Sequence, residues 1–237
     1  MKKKIKLTAK LSIFMSIQII PSILVKTKEE FIVQISGLES SVSMIQLDIA
    51  DGIFVNNTTW AEPEVVKNNC QLDIELHLMV AEPLTELKKW LGIEQIKRIL
   101  IHYESFTGNN EQKNYLINDT INFINENDWE GGLVLNPATP YQVIEDYLEK
   151  ITSVMFMGVI PGLQGQSLIP EVLEKITNFT IDHPDIFTAI DGAVNEANLP
   201  AIIKTGIKAI CPGSAIFGNQ RTPKENVERL TKIMNMN

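Results

Sequence analysis

Met44-Ile45-Gln46-Leu47-Asp48 and Ile186-Phe187-Thr188-Ala189-Ile190-Asp191 decide the fold. Each is a short apolar run closed by an aspartate. Neither alternates enough for a half-solvated strand, so each reads as a strand buried on both faces. Glycine follows both, Gly52 shortly after the first and Gly192 directly after the second. An acid at the C-terminal end of a parallel strand opens onto the loop face where α/β proteins bind ligands. Asp48 and Asp191 therefore read as a base and an acid on opposite sides of one substrate carbon.

Working outward, similar short runs recur at 18–24, 72–78, 98–102, 132–135, 154–158 and 209–211. With the first two they make eight strands. Amphipathic helical patterns lie between them at 28–38, 84–91, 112–127, 141–149, 171–178, 196–204 and 224–234. Strand–helix alternation implies a parallel sheet. Eight units in 237 residues suit a closed (β/α)8 barrel, the TIM-barrel architecture, better than an open doubly wound sheet. No linker or low-complexity segment divides the chain, so residues 17–237 read as one barrel domain. Residues 1–16 read as an N-terminal extension, a candidate for closing the barrel bottom.

Composition limits the partners. The formal charge of -8 argues against a nucleic-acid backbone. It leaves a small anionic substrate open, because a local site can be positive inside an acidic protein. Lys2-Lys3-Lys4 and the apolar residues after it imitate a signal peptide, but no small-residue cleavage site follows. No apolar run is long enough to cross a bilayer. A cytoplasmic protein is expected. Cys70 and Cys211 lack metal-type spacing and read as reduced thiols.

Three glycine-bearing segments follow the late strands: Pro161-Gly162-Leu163-Gln164-Gly165-Gln166, Asp191-Gly192-Ala193 and Pro212-Gly213-Ser214-Ala215. In barrels these loops hold phosphate through backbone N–H groups. Glycine lets the backbone approach an anion, and Ser214 adds a hydroxyl. Two aspartates and a phosphate anchor suit epimerisation beside a carbonyl, which also needs something to hold enediolate charge. Asp48 and Asp191 would stand roughly opposite across the barrel mouth. Asp51 reads as a turn acid supporting its loop. His77, at the same level as the two aspartates, is either a satisfied core residue or a ligand. His102 either hydrogen-bonds near the site or packs.

Several segments, taken in order, resemble the ribulose-phosphate 3-epimerase family. They are Pro21-Ser22-Ile23-Leu24, Asp48-Ile49-Ala50-Asp51-Gly52-Ile53-Phe54-Val55, His77-Leu78-Met79, Leu135-Asn136-Pro137-Ala138-Thr139-Pro140, the Pro161–Pro170 loop, Asp191-Gly192 and Gly213-Ser214-Ala215-Ile216-Phe217. The resemblance implies a (β/α)8 barrel acting on ribulose 5-phosphate and xylulose 5-phosphate, or on a ketohexose 6-phosphate. It makes Asp48 and Asp191 the catalytic pair that exchanges a proton at C3. Both would also bind a divalent metal (Zn, Mn, Fe or Co) together with His77, with Gln46 or water in the fourth place. Ser22, Met79 and Met157 match residues around the reacting centre. Gly162, Gly165, Gly192, Gly213 and Ser214 fall on the phosphate side. A homo-oligomer is expected on the same ground, and neither a nucleic-acid nor a membrane partner.

The departures are specific. The family's second strand reads His-x-Asp-x-Met-Asp-Gly, whereas this chain has Gln46 for the histidine ligand and Ala50 for the methionine. Gln46 offers only a neutral amide oxygen, a poor ligand for zinc, so the metal is weakened. Gly158, Ile160, Gln164 and Ala193 replace a threonine, an asparagine and two glycines. These changes keep a second reading open, a catalytically impaired sugar-phosphate-binding homologue with a regulatory or interaction role. Decarboxylation or aldol chemistry on a phosphosugar fits the segments less well.

Overall fold

The computed structural model describes residues 17–162 and 165–236. The N-terminal extension of residues 1–16 lies outside the described residues. The strands are β1 (Gln18–Ile19), β2 (Ser22–Ile23), β3 (Met44–Ala50), β4 (Asp73–Met79), β5 (Ile96–His102), β6 (Glu130–Leu135), β7 (Ser153–Met157), β8 (Phe187–Asp191) and β9 (Ala209–Cys211). All pair in parallel, in the order β1-β9-β8-β7-β6-β5-β4-β3-β2. The two ends of that order are consecutive in the chain. Ile20 N–H donates to Ile210 and Ser22 N–H to Pro212, while Pro21 C=O accepts from Gln46. The first strand thus pairs with β9 on one side and β3 on the other, which closes the ring. It divides at Pro21, which has no N–H to give a ladder.

Inside and outside alternate along each strand as the pleat requires. Ile45, Leu47 and Ile49 of β3 face outward into the main core, with Ile99, Ile101, Val154, Phe156 and Ile210. Met44 of β3 faces inward and packs with Leu100, Val134, Met155, Met157, Ala209 and Cys211. Gln46 and Asp48 share its parity and so also face the barrel interior. This is why the runs look apolar throughout yet carry chemistry at alternate positions. Deeper in the barrel, buried Arg98 pairs with Glu75 at 2.8 Å and with Glu130 at 2.7 Å. Its guanidinium lies 4.3 Å from the centre of the Phe187 ring. Burial raises the Glu75 pKa although Arg98 opposes it. The pair fills the barrel below the mouth.

The helices are α1 (Lys28–Ser36), α2 (Pro63–Asn69), α3 (Pro83–Leu87), α4 (Asn110–Glu126), α5 (Glu171–Asp182), α6 (Leu199–Ile203), α7 (Ser214–Phe217) and α8 (Pro223–Met236). They bury their apolar sides on the outer face of the sheet, as with Ile117, Ile121 and Ile124 of α4. A capping box, Asn109 with Gln112, starts α4. Two helical expectations need correction. Residues 141–149 form a 3₁₀ segment, Tyr141–Tyr147, which starts after Pro140 without a side-chain cap. Helix α2 escapes the periodicity because it is short, with a single buried residue, Val66. Among the described residues no helix is long and apolar enough to cross a membrane.

Of the described glycines, Gly132 has the least room for a side chain. A Cβ there would lie 2.2 Å from Ser153 Oγ and 2.7 Å from Leu100 Cδ2. Gly132→Ala is expected to cost ~1–3 kcal/mol, as overpacking of a filled core does. Urea denaturation measures it, and a midpoint equal to wild type contradicts this view of the barrel interior.

Candidate active site

Strand register brings the site together. Asp48 and His77 are direct partners across β3 and β4, and Asp191 closes β8 beside Met157. Asp48 and Asp191 stand on strands separated by β9 and the first strand, nearer than opposite sides of the mouth. Their side chains reach one point. Gln46 Nε2 donates to Asp48 Oδ1 at 2.8 Å and to Asp191 Oδ2 at 2.8 Å, and lies 3.3 Å from His77 Nδ1. His77 Nδ1 is 2.8 Å from Asp48 Oδ1 and 3.4 Å from Asp191 Oδ2. Ser22 Oγ donates to Asp48 Oδ2 at 2.6 Å. All five side chains are buried.

Burial and charge set the protons. Burial and the neighbouring Asp48 charge push the Asp191 pKa up to about 7, against the opposing pull of His77 and the Gln46 hydrogen bond. Burial works against charge on His77, but its hydrogen bond with Asp48 and the Asp48, Asp191 and Glu75 carboxylates win, and its pKa is raised. His77 Nε2 lies 2.8 Å from His102 Nε2. Burial lowers the His102 pKa to about 4. His102 is therefore neutral at pH 7 and shares one hydrogen bond with His77 through their Nε2 atoms. Its other nitrogen faces Glu104 Oε2 at 3.6 Å, and Glu104 accepts from Asn136 N–H at 2.9 Å and from Thr139 Oγ1–H. The contact with His77 gives His102 a polar role, with Glu104 beyond it. Glu104 was not foreseen; the His-x-Glu spacing at a strand end was its signal.

Met79, Met157, Gly162, Gly165, Gly192, Gly213 and Ser214 line one cleft with Asp48 and Asp191. Gly162, Gly165 and Gly192 have φ of 106°, 77° and 96°, conformations that favour glycine. Leu163 and Gln164, between the first two, lie outside the described residues. Two departures sit together here. Gly158 N–H donates to Asp191 C=O at 2.6 Å, and a Cβ on Gly158 would lie 2.4 Å from Gly192 O. Ala193 keeps the left-handed turn with φ 56°, a strain of about 1–2 kcal/mol for a residue with a Cβ. Asp51 is the turn acid expected of it. It accepts from Ile53, Phe54 and Ala81 N–H groups at 2.7–2.9 Å, which lower its pKa although burial opposes them.

Asp48, His77 and Asp191 offer three ligand atoms within 4.8 Å of one another and could hold a metal ion. Two carboxylates and an imidazole suit a divalent cation. Gln46 does not fit with them. It places an amide nitrogen, a donor without a lone pair, among the three ligand atoms. Its Oε1 is buried without a hydrogen-bond partner.

Residues 18–217 match the model of the ribulose-phosphate 3 epimerase family. The chain is 31% identical over 189 residues to "Ribulose-phosphate 3-epimerase" of Bacillus subtilis, covering 76% of this chain and 82% of that protein. It is 33% identical over 192 residues to the Buchnera aphidicola protein of the same description, covering 77% and 80%. Among solved structures, it superposes on 3-hexulose-6-phosphate synthase from Salmonella typhimurium with a TM-score of 0.68 at 11% identity, over 94% of this chain and 99% of that one. KGPDC from Streptococcus mutans gives 0.67 at 12% identity, over 93% and 98%. At such identities these two structures establish the shared barrel alone.

The raised Asp191 pKa makes a stability prediction. Its folded value of about 7 exceeds the ordinary aspartate value of 3.8. The folded protein thus keeps a proton that the unfolded chain has lost. The stability this proton confers is complete below about pH 3.8 and is lost as pH rises to about 7. Asp191→Asn cannot ionise. It is expected to raise Tm at pH 8 by about 2 °C or more, the effect of ~1 kcal/mol in a domain this size. The gain shrinks towards pH 4. Thermal melts across that range check it, and a variant that loses stability relative to wild type as pH rises contradicts it.

Proposed function

Because the chain belongs to the ribulose-phosphate 3-epimerase family, we propose that it epimerises a phosphorylated ketose at C3. The substrate class is ribulose 5-phosphate and xylulose 5-phosphate, or a ketohexose 6-phosphate. The observation that carries the proposal is the convergence of Asp48 and Asp191 on one point at the head of a glycine-lined cleft.

The chemistry follows from the carbon acid. A hydrogen at C3 lies beside the C2 carbonyl, so its removal gives an enediolate. Asp48 accepts from Ser22 and Gln46, and takes the proton as base. Asp191, which holds a proton up to about pH 7, returns one to the opposite face and inverts the centre. The reverse reaction exchanges the two roles, with the pair holding one proton in either direction. His77, whose pKa the surrounding carboxylates raise, positions Asp48 through its Nδ1 contact at 2.8 Å. Gly162, Gly165, Gly192, Gly213 and Ser214 hold the phosphate. Met79 and Met157 wall the reacting centre and keep water from the intermediate. A metal bound at Asp48, His77 and Asp191 would polarise the carbonyl, but Gln46 does not favour it and no step here depends on it. A cytoplasmic homo-oligomer belongs to the same proposal.

Gln46 also favours a second reading, a protein that binds a sugar phosphate with little turnover. Solvent-deuterium exchange at C3 of ribulose 5-phosphate, followed by proton NMR, separates the two. Wild type is expected to exchange, and Asp48→Asn or Asp191→Asn to slow exchange by ~10²–10⁴-fold, the range of a general acid or base. Unchanged exchange in both variants sinks the proposal. Binding without exchange in wild type selects the second reading.

A further inference from the structure

A divalent cation bound here would need the lone pairs of Asp48, His77 and Asp191 to face one empty point. Gln46 Nε2 is at that point, 2.8 Å from each carboxylate and 3.3 Å from His77 Nδ1. The orientation of the amide follows from chemistry. An amide NH2 has two hydrogens and no lone pair, and two carboxylate oxygens accept them. Turning the amide over would set Oε1 against those same two acceptor oxygens at the same distance. That is repulsive unless a cation or a proton comes between them. The bond to whichever carboxylate is charged is also about twice as strong as a neutral one.

The strand fixes this placement. Gln46 and Asp48 are two residues apart on β3, so both side chains enter the barrel from the same face. Glu75 is the cross-strand partner of Gln46 and carries the Arg98 ion pair below it. That floor is filled, and Gln46 Oε1 is left buried without a partner. An unsatisfied buried oxygen is a cost to the fold. The two bonds the nitrogen donates, one of them to the charged carboxylate, offset it.

We infer that Gln46 is a specificity-determining residue that takes the cation's place, bridging the acid/base pair with a neutral amide so that the site works without a tightly held metal. A metal ion can enter only when the amide rotates, gives up both bonds and presents Oε1, a weak ligand. The amide keeps the two carboxylates close, which a cation would otherwise do, but adds no charge. His102 Nε2 lies 2.8 Å behind His77 Nε2 and fixes that ring from the far side. The inference rests on reading Asp48 and Asp191 as the acid/base pair.

The test is run on the full chain without substrate, so its failure is distinct from failure of the proposed reaction. Isothermal titration with Zn²⁺ and, separately, Mn²⁺ is compared between wild type and Gln46→His. Wild type is expected to bind each metal at least about tenfold more weakly than Gln46→His, the lower end of what even an outer-shell partner contributes. Wild type should also lose its metal to brief chelation. Equal affinity in the two proteins overturns the inference. Should Gln46→His fail to fold, wild type labelled with ¹⁵N-glutamine gives the second readout. The Gln46 NH2 signal should persist unshifted with a slight excess of Zn²⁺. A stoichiometric shift or loss of that signal overturns the inference.

Discussion

Two carboxylates from different strands, buried within reach of one amide nitrogen, are the constraint on which the site depends. Asp48 and Asp191 cannot both ionise cheaply in so dry a place. One proton and several donors relieve the repulsion. Burial and the Asp48 charge raise the Asp191 pKa to about 7, so Asp191 keeps the proton. The donors are Ser22, Gln46 and, from the side, His77. The same repulsion that destabilises the fold near neutral pH leaves one carboxylate charged and its partner protonated, the state a two-base epimerisation uses.

The scaffold exists to hold that arrangement. Parallel register sets Asp48 level with His77, and closure through the divided first strand places Ser22 beside Asp48. Below, the Glu75–Arg98 pair and the crowded Gly132 fill the barrel, so the upper layer has nowhere to sink. Around the rim, left-handed glycines let the late loops crowd the cleft. Ala193 holds such a conformation at a cost, and Gly158, without a Cβ, makes room for Gly192 O. The altered loop positions thus compensate one another locally.

Much of this was legible in the chain. Apolar runs ending in Asp48 and Asp191 announced barrel strands, because in parallel sheets both faces are buried and only the strand end meets ligand. His77 was legible as a neighbour by level alone. The amide of Gln46 was not. Sequence shows that a glutamine offers both a donor and an acceptor, but only the positions of two carboxylates decide which end turns inward. The Gln46 reading as a poor ligand was therefore incomplete: its nitrogen, not its oxygen, meets the ligand atoms. His102 was open between packing and polar roles, and only the approach of His77 Nε2 resolved it. Helix α2 was missed because one buried residue leaves no periodicity to read.

The claim at the centre is that an amide nitrogen bridges Asp48 and Asp191 where a cation could sit. Anomalous diffraction at the zinc and manganese edges, on crystals grown with each metal, tests it most directly. The account predicts amide density between the two carboxylates and no anomalous peak there. A strong peak roughly 2.0–2.3 Å from Asp48, His77 and Asp191, the distance of bound zinc, with the Gln46 amide turned aside, would contradict it.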